Sequence, residues 1–182
     1  MQFQPTRLPE VVLISPQVFG DRRGYFFESW HERKFAAAGI NARFVQANHS
    51  HSVRGTLRGL HYQIRQPQGK LVRVTKGEAF DVAVDIRRHS PRFGAWVGVT
   101  LTDRDHQMLW VPPGFAHGYL ALSEEIDFLY ECTDFYAPEH ERAIRWDDER
   151  IGVQWPLPGG ELPTLSAKDA NAPPLAEAET FE

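Results

Sequence analysis

An all-β domain of the sandwich or barrel type is the fold class that this 182-residue sequence predicts. The first observation is a period-two alternation, clearest at residues 80–86 (Phe-Asp-Val-Ala-Val-Asp-Ile), which is typical of a strand with one buried face. The second is that the short apolar runs are separated by turn-forming Gly, Pro and Asp, without the helices of alternating βαβ units. The predicted strands are residues 10–14, 25–30, 43–49, 70–75, 80–86, 95–101, 108–111, 115–122 and 126–135.

One α-helix is predicted, over residues 30–38. Ser29 can cap its first turn, and Glu32 follows three residues later as in a capping box. Gly39 can end the helix, because glycine adopts the left-handed conformation that follows a last helical turn. The sequence therefore predicts a short helix near the N-terminus.

The C-terminal part of the chain becomes rich in Pro and Gly after Trp155. We expect it to be rich in loops, with residues 171–182 forming a loosely held tail. The total length fits one domain over residues 1–182.

The composition excludes several classes of protein. Apolar residues make up 42% of the chain, but no run approaches the roughly 20 apolar residues of a membrane helix. The net charge of −4 gives no general basic surface for nucleic acid. Residues 1–10 show no secretory signal, and Cys132 is the one cysteine, so no intrachain disulfide is possible. We expect a cytoplasmic protein that binds neither membrane nor nucleic acid.

The run Pro-Pro-Gly-Phe-Ala-His at residues 112–117 has the form P-x-G-x-x-H, which resembles the second half-motif of the cupins, jelly-roll barrels of the double-stranded β-helix type. Strand alternation places His117 on the same face as Phe115 and Tyr119. His117 is then either a group that points into the barrel cavity or a hydrogen-bonded core histidine, and the motif alone leaves both interpretations open.

The first cupin half-motif normally supplies two histidines and a glutamate as metal ligands. Here the corresponding positions are His61, Gln63 and Lys70. Glutamine is a poor replacement for imidazole, and an ammonium group repels a divalent cation, so we predict no bound metal. The other His-x-His pair, His49 and His51, has no glutamate at suitable spacing and fits a solvated or structural role.

A cavity that keeps a histidine, a lysine and a tyrosine suits enolate chemistry. A base removes a carbon-bound proton beside a carbonyl, and a cation stabilises the developing oxyanion. A tyrosine on the other side can return a proton. Tyr130 shares its predicted face with Phe128 and Cys132, where a core aromatic with a hydrogen-bonded hydroxyl is the competing interpretation.

Several longer stretches resemble the dTDP-4-dehydrorhamnose 3,5-epimerases, and they occur in the family's order. The resemblance covers nearly the whole chain except its tail. The matching stretches are FGDRRGYFFES at 19–29, VQANHS at 45–50, LRGLHYQ at 57–63, QGKLVR at 68–73, FDVAVDIR at 80–87, PGFAHG at 113–118 and LSAKDA at 165–170.

This resemblance implies a cofactor-free enzyme that inverts C3 and C5 of a dTDP-4-keto-6-deoxy sugar. By resemblance, His61 is the general base and Asp169 the carboxylate that orients its ring. Tyr130 is the general acid, and Lys70 stabilises the enolate oxygen at C4. Arg23 and Arg58 resemble diphosphate contacts, for which guanidinium groups are well suited. The further substrate contacts that the resemblance implies are Glu28, Gln46, Ala47, Asn48, Lys70, His117, Phe135, Glu141 and Lys168.

Two of these positions depart from the family pattern. Phe135 stands where a tyrosine stacked on the base is frequent, so the ring surface is kept and the hydroxyl lost. Ala47 stands where aspartate is frequent. Arg58 and His61 raise a separate difficulty, since a regular strand would point them to opposite faces. A bulge or bend at Gly59 would reconcile them.

Other functions remain to be weighed against the double epimerase. The nearest are an epimerase of one centre and a ketoisomerase on related dTDP-sugars. More distant are a metal-dependent cupin and a sugar-binding module without catalysis. The family also implies a homodimer in which the N-terminal segment reaches the partner, and the apolar strand at residues 10–14 would otherwise be an exposed edge.

Overall fold

A computed structural model describes all residues 1–182. Two antiparallel sheets face each other, in the strand orders β1-β2-β10-β7-β12-β5 and β13-β6-β11-β8-β9, and β3 pairs with β4 in a separate hairpin. The strands are β1 Gln2–Pro5, β2 Val12–Ser15, β3 Val18–Asp21, β4 Gly24–Phe27, β5 Gln46–Val53, β6 Leu57–Gln63, β7 Lys70–Lys76, β8 Glu78–Asp85, β9 Trp96–Thr102, β10 Met108–Val111, β11 Phe115–Ala121, β12 Glu125–Cys132 and β13 Glu141–Ala143.

The main core lies between the two sheets. Val72 of β7 and Phe128 of β12 belong to the first sheet, and Ala83 of β8 and Phe115 of β11 belong to the second. All four side chains are buried in one cluster. The architecture is the jelly-roll barrel that the period-two pattern and the cupin-like motifs predicted, so the predicted fold class is confirmed.

The N-terminal helix, α1, is shorter than predicted and spans Glu32–Ala37. The prediction of Ser29 as its cap was wrong: the N-cap is His31, in an extended conformation without a side-chain cap. Trp30 lies before the helix, with its ring near those of Phe35 and Phe44. Gly39 follows the helix with φ 83°, as predicted for its end.

A second helix, α2 at Ala167–Ala170, was not predicted. Ser166 is its N-cap, and its side chain accepts a hydrogen bond from the backbone N–H of Asp169 at 3.1 Å. Both α-helices are far too short to cross a membrane.

The expectation of a loosely held C-terminal tail was wrong for residues 171–182. Leu175 and Ala178 are buried against the second sheet, and Phe181 packs at the edge of the same cluster. Tyr62 donates a hydrogen bond from its hydroxyl to the carbonyl of Glu179 at 2.5 Å. The segment is ordered because its few apolar side chains cover the outer face of that sheet, a contact that local composition does not reveal.

The position of β2 in the first sheet contradicts one of the reasons for expecting a dimer, the exposed edge at residues 10–14. Residues 10–14 were expected to form an exposed edge, but β2 lies between β1 and β10 and pairs with both. The N-terminal residues Gln2–Pro5 form β1 and cover that edge themselves.

The irregularity predicted at Gly59 is confirmed. Its φ is 142°, and an added Cβ would lie 2.6 Å from the Cα of Gly118. The pairing of β6 with β11 shifts here: His61 is opposite His117, but Arg58 is opposite Tyr119. The extra residue in β6 lets Arg58 and His61 line the same cavity.

Candidate active site

Two adjoining cavities of about 380 and 330 Å³ open between the sheets, and we call them together the cleft. They share three side chains: His61 of β6 in the second sheet, and Lys70 of β7 and Tyr130 of β12 in the first. The groups that the sequence assigned to proton transfer therefore come together at the junction of the two cavities, from opposite sheets.

His61 is fixed by Asp169. The ring Nε2 lies 2.5 Å from Asp169 Oδ1, across more than a hundred residues of sequence. Burial acts to raise the pKa of Asp169, but the hydrogen bond and charge of His61 outweigh it, so the pKa is lowered and the carboxylate is ionised and accepts. His61 Nδ1 has no protein partner and is the nitrogen available as a base. Asp169 is itself held by the cap of Ser166.

Lys70 is a cation without a partner. It begins β7 and lies opposite Cys132 of β12 and Val111 of β10. Its ammonium group lines both cavities and makes no hydrogen bond or ion pair with the protein. Burial lowers the pKa of Lys70. A partly desolvated ammonium of this kind is suited to stabilise an oxyanion that develops in the cleft.

Tyr130 is a proton donor over the whole neutral range. Burial raises its pKa to about 12, so the phenol stays protonated. Its ring lies beside that of Phe128, at a centroid distance of 6.3 Å. Tyr130 and Phe128 share the inner face of β12, as predicted from the alternation.

His117 satisfies both interpretations of the P-x-G-x-x-H motif. It is 7% exposed, and its Nε2 lies 2.9 and 3.0 Å from the two carboxylate oxygens of the fully buried Asp81. It also lines the larger cavity and lies opposite His61. A hydrogen-bonded core histidine can therefore still contact a ligand in the cleft.

Gln63, at a position that binds metal in cupins, instead forms hydrogen bonds that hold neighbouring loops. Its amide nitrogen donates to the carbonyls of Gln66 and Phe135, and its amide oxygen accepts from Ala137 N–H at 2.8 Å. No group of three or more His, Cys, Asp or Glu side chains is arranged to hold a metal ion. The side chains at the cupin ligand positions thus do not fit a metal.

Most of the remaining candidate contacts also lie in the cleft. Arg58, His117 and Lys168 line the larger cavity, and Gln46, Asn48 and Glu141 line the smaller one.

Four candidate contacts lie outside it: Arg23, Glu28, Ala47 and Phe135. Arg23 is on the β3–β4 hairpin, where its side chain is 85% exposed and paired with Asp21. Glu28 pairs with Lys34 at 2.7 Å. Ala47 faces the opposite side of β5 from Gln46 and Asn48, as alternation requires.

The position of Phe135 differs from the sequence-based expectation of a substrate contact in the cleft. Its side chain is 61% exposed and lines neither cavity, so within one chain its ring does not contribute to the cleft. The neighbouring Tyr136 lies in the smaller cavity instead, because Gln46 Oε1 accepts from Tyr136 N–H and Gln63 accepts from the next residue.

Sequence reasoning did not identify Tyr136 as a cleft residue. Its hydroxyl donates to Glu141 Oε2 at 2.7 Å, and Lys168 Nζ lies 2.5 Å from the same oxygen. Burial would raise the pKa of Glu141, but these two hydrogen bonds lower it. The three side chains link the loop after β12 to α2. No local sequence pattern distinguishes Tyr136 from Phe135. The two are distinguished by the hydrogen bonds that hold the loop to Gln46 and Gln63.

The fold and the cleft together define a jelly-roll enzyme whose cleft holds a histidine, a tyrosine and a free ammonium group, side chains of the kind that general acid–base chemistry uses. A sequence model described as dTDP-4-dehydrorhamnose 3,5-epimerase matches residues 5–177. The chain belongs to this family.

Similar proteins support the assignment at high coverage. The dTDP-4-dehydrorhamnose 3,5-epimerase of Pseudomonas aeruginosa is 56% identical over 175 residues, 96% of each chain. A 3,5-epimerase from Legionella pneumophila, solved in complex with dTDP-4-keto-L-rhamnose, superposes with a TM-score of 0.93 at 49% identity, over 97% of this chain and 93% of the other. A 3′-monoepimerase from Streptomyces bikiniensis, in complex with dTDP-quinovose, is 31% identical with a TM-score of 0.88, over 95% and 87%.

Proposed function

We propose that the chain converts dTDP-4-dehydro-6-deoxy-D-glucose to dTDP-4-dehydro-L-rhamnose by inverting C3 and C5, in dTDP-L-rhamnose biosynthesis. One observation carries the proposal. His61 and Tyr130 come from opposite sheets and border the same cleft beside the unpartnered Lys70. Inversion needs a base on one face of the sugar ring and an acid on the other, and this arrangement supplies both.

Each inversion follows from this geometry. His61 Nδ1 takes the proton from the carbon next to the C4 carbonyl, and the electron pair moves onto the carbonyl oxygen as an enolate. Lys70 stabilises that oxygen. Tyr130 then gives its hydroxyl proton to the other face of the same carbon, and the ketone re-forms. His61 loses its proton and Tyr130 regains one from solvent before the second carbon reacts.

Asp169 sets the base for this step. It accepts from His61 Nε2, which fixes the tautomer with Nδ1 free, and its negative charge stabilises the imidazolium that forms. The C4 ketone of the substrate supplies the electron sink, so we propose catalysis without cofactor or metal.

We propose that the enzyme is a homodimer in which the β3–β4 hairpin reaches the cleft of the partner. The hairpin exposes Phe19, Tyr25 and Phe26 at 56–70%, and exposed apolar surface of this kind marks an interaction site. Arg23 lies on the same hairpin, outside the cleft of its own chain. In this arrangement Arg23 and Arg58 bind the diphosphate together, one from each protomer.

We assign the enzyme to the cytoplasm, because Cys132 is a buried free thiol, as is usual in a reducing compartment.

A monoepimerase is the second candidate, because one relative of this kind shares the fold at 31% identity. The higher identity to 3,5-epimerases favours double inversion. Proton NMR of the dTDP-4-keto-6-deoxy sugar, incubated with the enzyme in heavy water, separates the two. We expect deuterium at both C3 and C5 and the L-rhamnose configuration in the product. Deuterium at a single centre would show a monoepimerase, and its absence from both would rule out the proposed chemistry.

A further inference from the structure

A chain of hydroxyl groups links Arg58 to the backbone of β12. Arg58 Nε donates to Ser52 Oγ at 3.1 Å, and at the other end Ser50 Oγ donates to the carbonyl of Phe128 at 3.4 Å. The Tyr119 hydroxyl lies between them, 3.2 Å from Ser52 Oγ and 2.9 Å from Ser50 Oγ. The chain therefore has four hydrogen bonds.

The direction of every bond follows from its two ends. Arginine can only donate, a carbonyl can only accept, and each hydroxyl has one proton. Ser50 uses its proton on the carbonyl and so accepts from Tyr119. Tyr119 has then used its proton, and so it accepts from Ser52. Each hydroxyl thus donates once and accepts once, and the chain is polarised in one direction from the guanidinium cation.

The chain rests on rigid parts of the fold. Ser52 is 4% exposed, and the ring of Tyr119 is stacked on Phe128 at a centroid distance of 4.1 Å and an interplanar angle of 15°. Arg58 itself is exposed at the rim of the larger cavity. Its Nη2 is also tethered, to the carbonyl of His51 at 3.2 Å. The Nε edge is therefore occupied, and the Nη1 end remains free for a ligand.

We propose that Ser52, held by Tyr119, is a positioning residue that fixes the guanidinium of Arg58 so that its Nη1 end meets the diphosphate of the nucleotide sugar. The proposal rests on the proposed function, since the anion is that of a dTDP-sugar. Without Ser52, the Nε–H loses its partner and the long side chain regains rotamer freedom. Ordering such a side chain on binding corresponds to roughly a 2- to 10-fold change in affinity.

A double-mutant cycle tests this role, with dTDP as the ligand in calorimetry. Ser52→Ala should weaken dTDP binding about 2- to 10-fold in the wild-type background. In the Arg58→Ala background the same change should have almost no further effect. Tyr119→Phe, which keeps the ring, should act in the same direction. In turnover, Ser52→Ala should raise KM with little change in kcat, and Ser52→Thr should restore the affinity by restoring the hydroxyl.

The control is Ser15→Ala on β2, which removes a hydroxyl that accepts a hydrogen bond from Gln107 and does not line the cleft, and which should leave dTDP affinity unchanged. Equal losses from Ser52→Ala in both backgrounds, or no loss in the wild type, would overturn the positioning role. If Arg58→Ala binds dTDP as tightly as the wild type, the diphosphate contact and the proposal fail together. The heavy-water experiment tests the epimerase activity separately.

Discussion

The cleft holds most of the candidate residues, whereas the β3–β4 hairpin holds one of them, Arg23. The cleft brings together His61, Lys70 and Tyr130 from three strands of two sheets. The hairpin carries Arg23, fully outside that cleft, together with exposed aromatic rings. The cleft holds all three proposed proton-transfer groups within one chain, whereas Arg23, a proposed phosphate contact, lies on the exposed hairpin away from them.

The difference separates chemistry from binding. Acid–base groups must be held in a desolvated interior, which one barrel can provide. Contacts to a long nucleotide can be supplied from the surface, including the surface of a second chain. We therefore expect changes in the proposed proton-transfer groups of the cleft to affect kcat, and changes in the phosphate-binding residues, including those of the hairpin, to affect KM.

The largest effect is expected from His61→Ala. Because every route begins with loss of a carbon-bound proton, both epimerisation and solvent exchange should fall by about 10² to 10⁴. The measurement is deuterium incorporation by NMR alongside product formation, with dTDP binding as the control for an intact nucleotide site. Exchange at the wild-type rate in this variant would remove His61 from the role of base.

Tyr130→Phe should separate the rate of solvent exchange from the rate of epimerisation, two rates that fall together in His61→Ala. It removes only the hydroxyl that donates from the far face, while His61 can still take a proton and return it to the same side. Exchange into the substrate should therefore continue while net inversion falls steeply, by roughly the 10²-fold typical of one acid–base group. A parallel fall of exchange and inversion would make Tyr130 a binding or packing residue.

Nine of the thirteen strands could be predicted from the sequence because alternation is a local signal, whereas β1, β3, β6 and β13 were not among the predicted runs. The roles of most cleft residues were predicted only through the family resemblance. Alternation marks the inner face of a strand, and the opposite directions that a regular strand would give Arg58 and His61 predict an irregularity at Gly59, whose φ is 142°. The misplaced features depend on distant contacts. The spacing of Ser29 and Glu32 fits a capping box, yet the helix begins only at Glu32, and Trp30 packs near Phe35 and Phe44. The order of residues 171–182 comes from a sheet face that is formed far away in sequence.

Phe135 and Tyr136 illustrate the same limit within the site. Adjacent aromatic residues in a loop carry no local signal for which of them faces inward. The choice is made by Gln46 and Gln63, whose side-chain oxygens bind the loop's N–H groups. Those two glutamines lie on different sheets, so a one-dimensional pattern could not have predicted the outcome.

The pH dependence of the cleft should be set on its alkaline side by Lys70. Burial lowers the pKa of this ammonium, so raising the pH removes its proton earlier than from a free lysine, whose pKa is about 10.4. The enolate then loses its cation and kcat falls. Tyr130, with a pKa of about 12, stays protonated through this range. Lys70→Arg keeps the charge and should abolish the alkaline limb of the kcat profile, even if its overall rate is lower. An unchanged limb would assign the titration to another group.

A smaller effect is expected from the hairpin. Arg23→Ala should raise KM about tenfold, the scale of one charge-assisted contact to a phosphate, with kcat nearly unchanged. Mixing Arg23→Ala with His61→Ala chains tests where Arg23 acts. If the hairpin serves the partner, a mixed dimer has one site with both wild-type groups and regains low-KM activity. If Arg23 serves its own chain, no mixed dimer has an intact site. Sedimentation of the wild type as a stable monomer at micromolar concentration would contradict the dimer itself.

The smallest expected effect is that of a metal chelator, which should leave kcat and KM unchanged after dialysis. The proposed base, acid and cation of the cleft are all side chains. Two of the positions that bind metal in cupins have other roles here: Gln63 is hydrogen-bonded to the loop after β12, and Lys70 is the proposed cation. A divalent ion next to Lys70 would be repelled, and it would duplicate the charge that Lys70 already provides. The test is activity in chelator compared with untreated enzyme, with metal content measured on the same sample. Loss of activity in chelator, restored by a divalent ion, would show that the side chains of the cleft are not sufficient. The contrast between a self-sufficient interior and a recognition hairpin would then have to be abandoned.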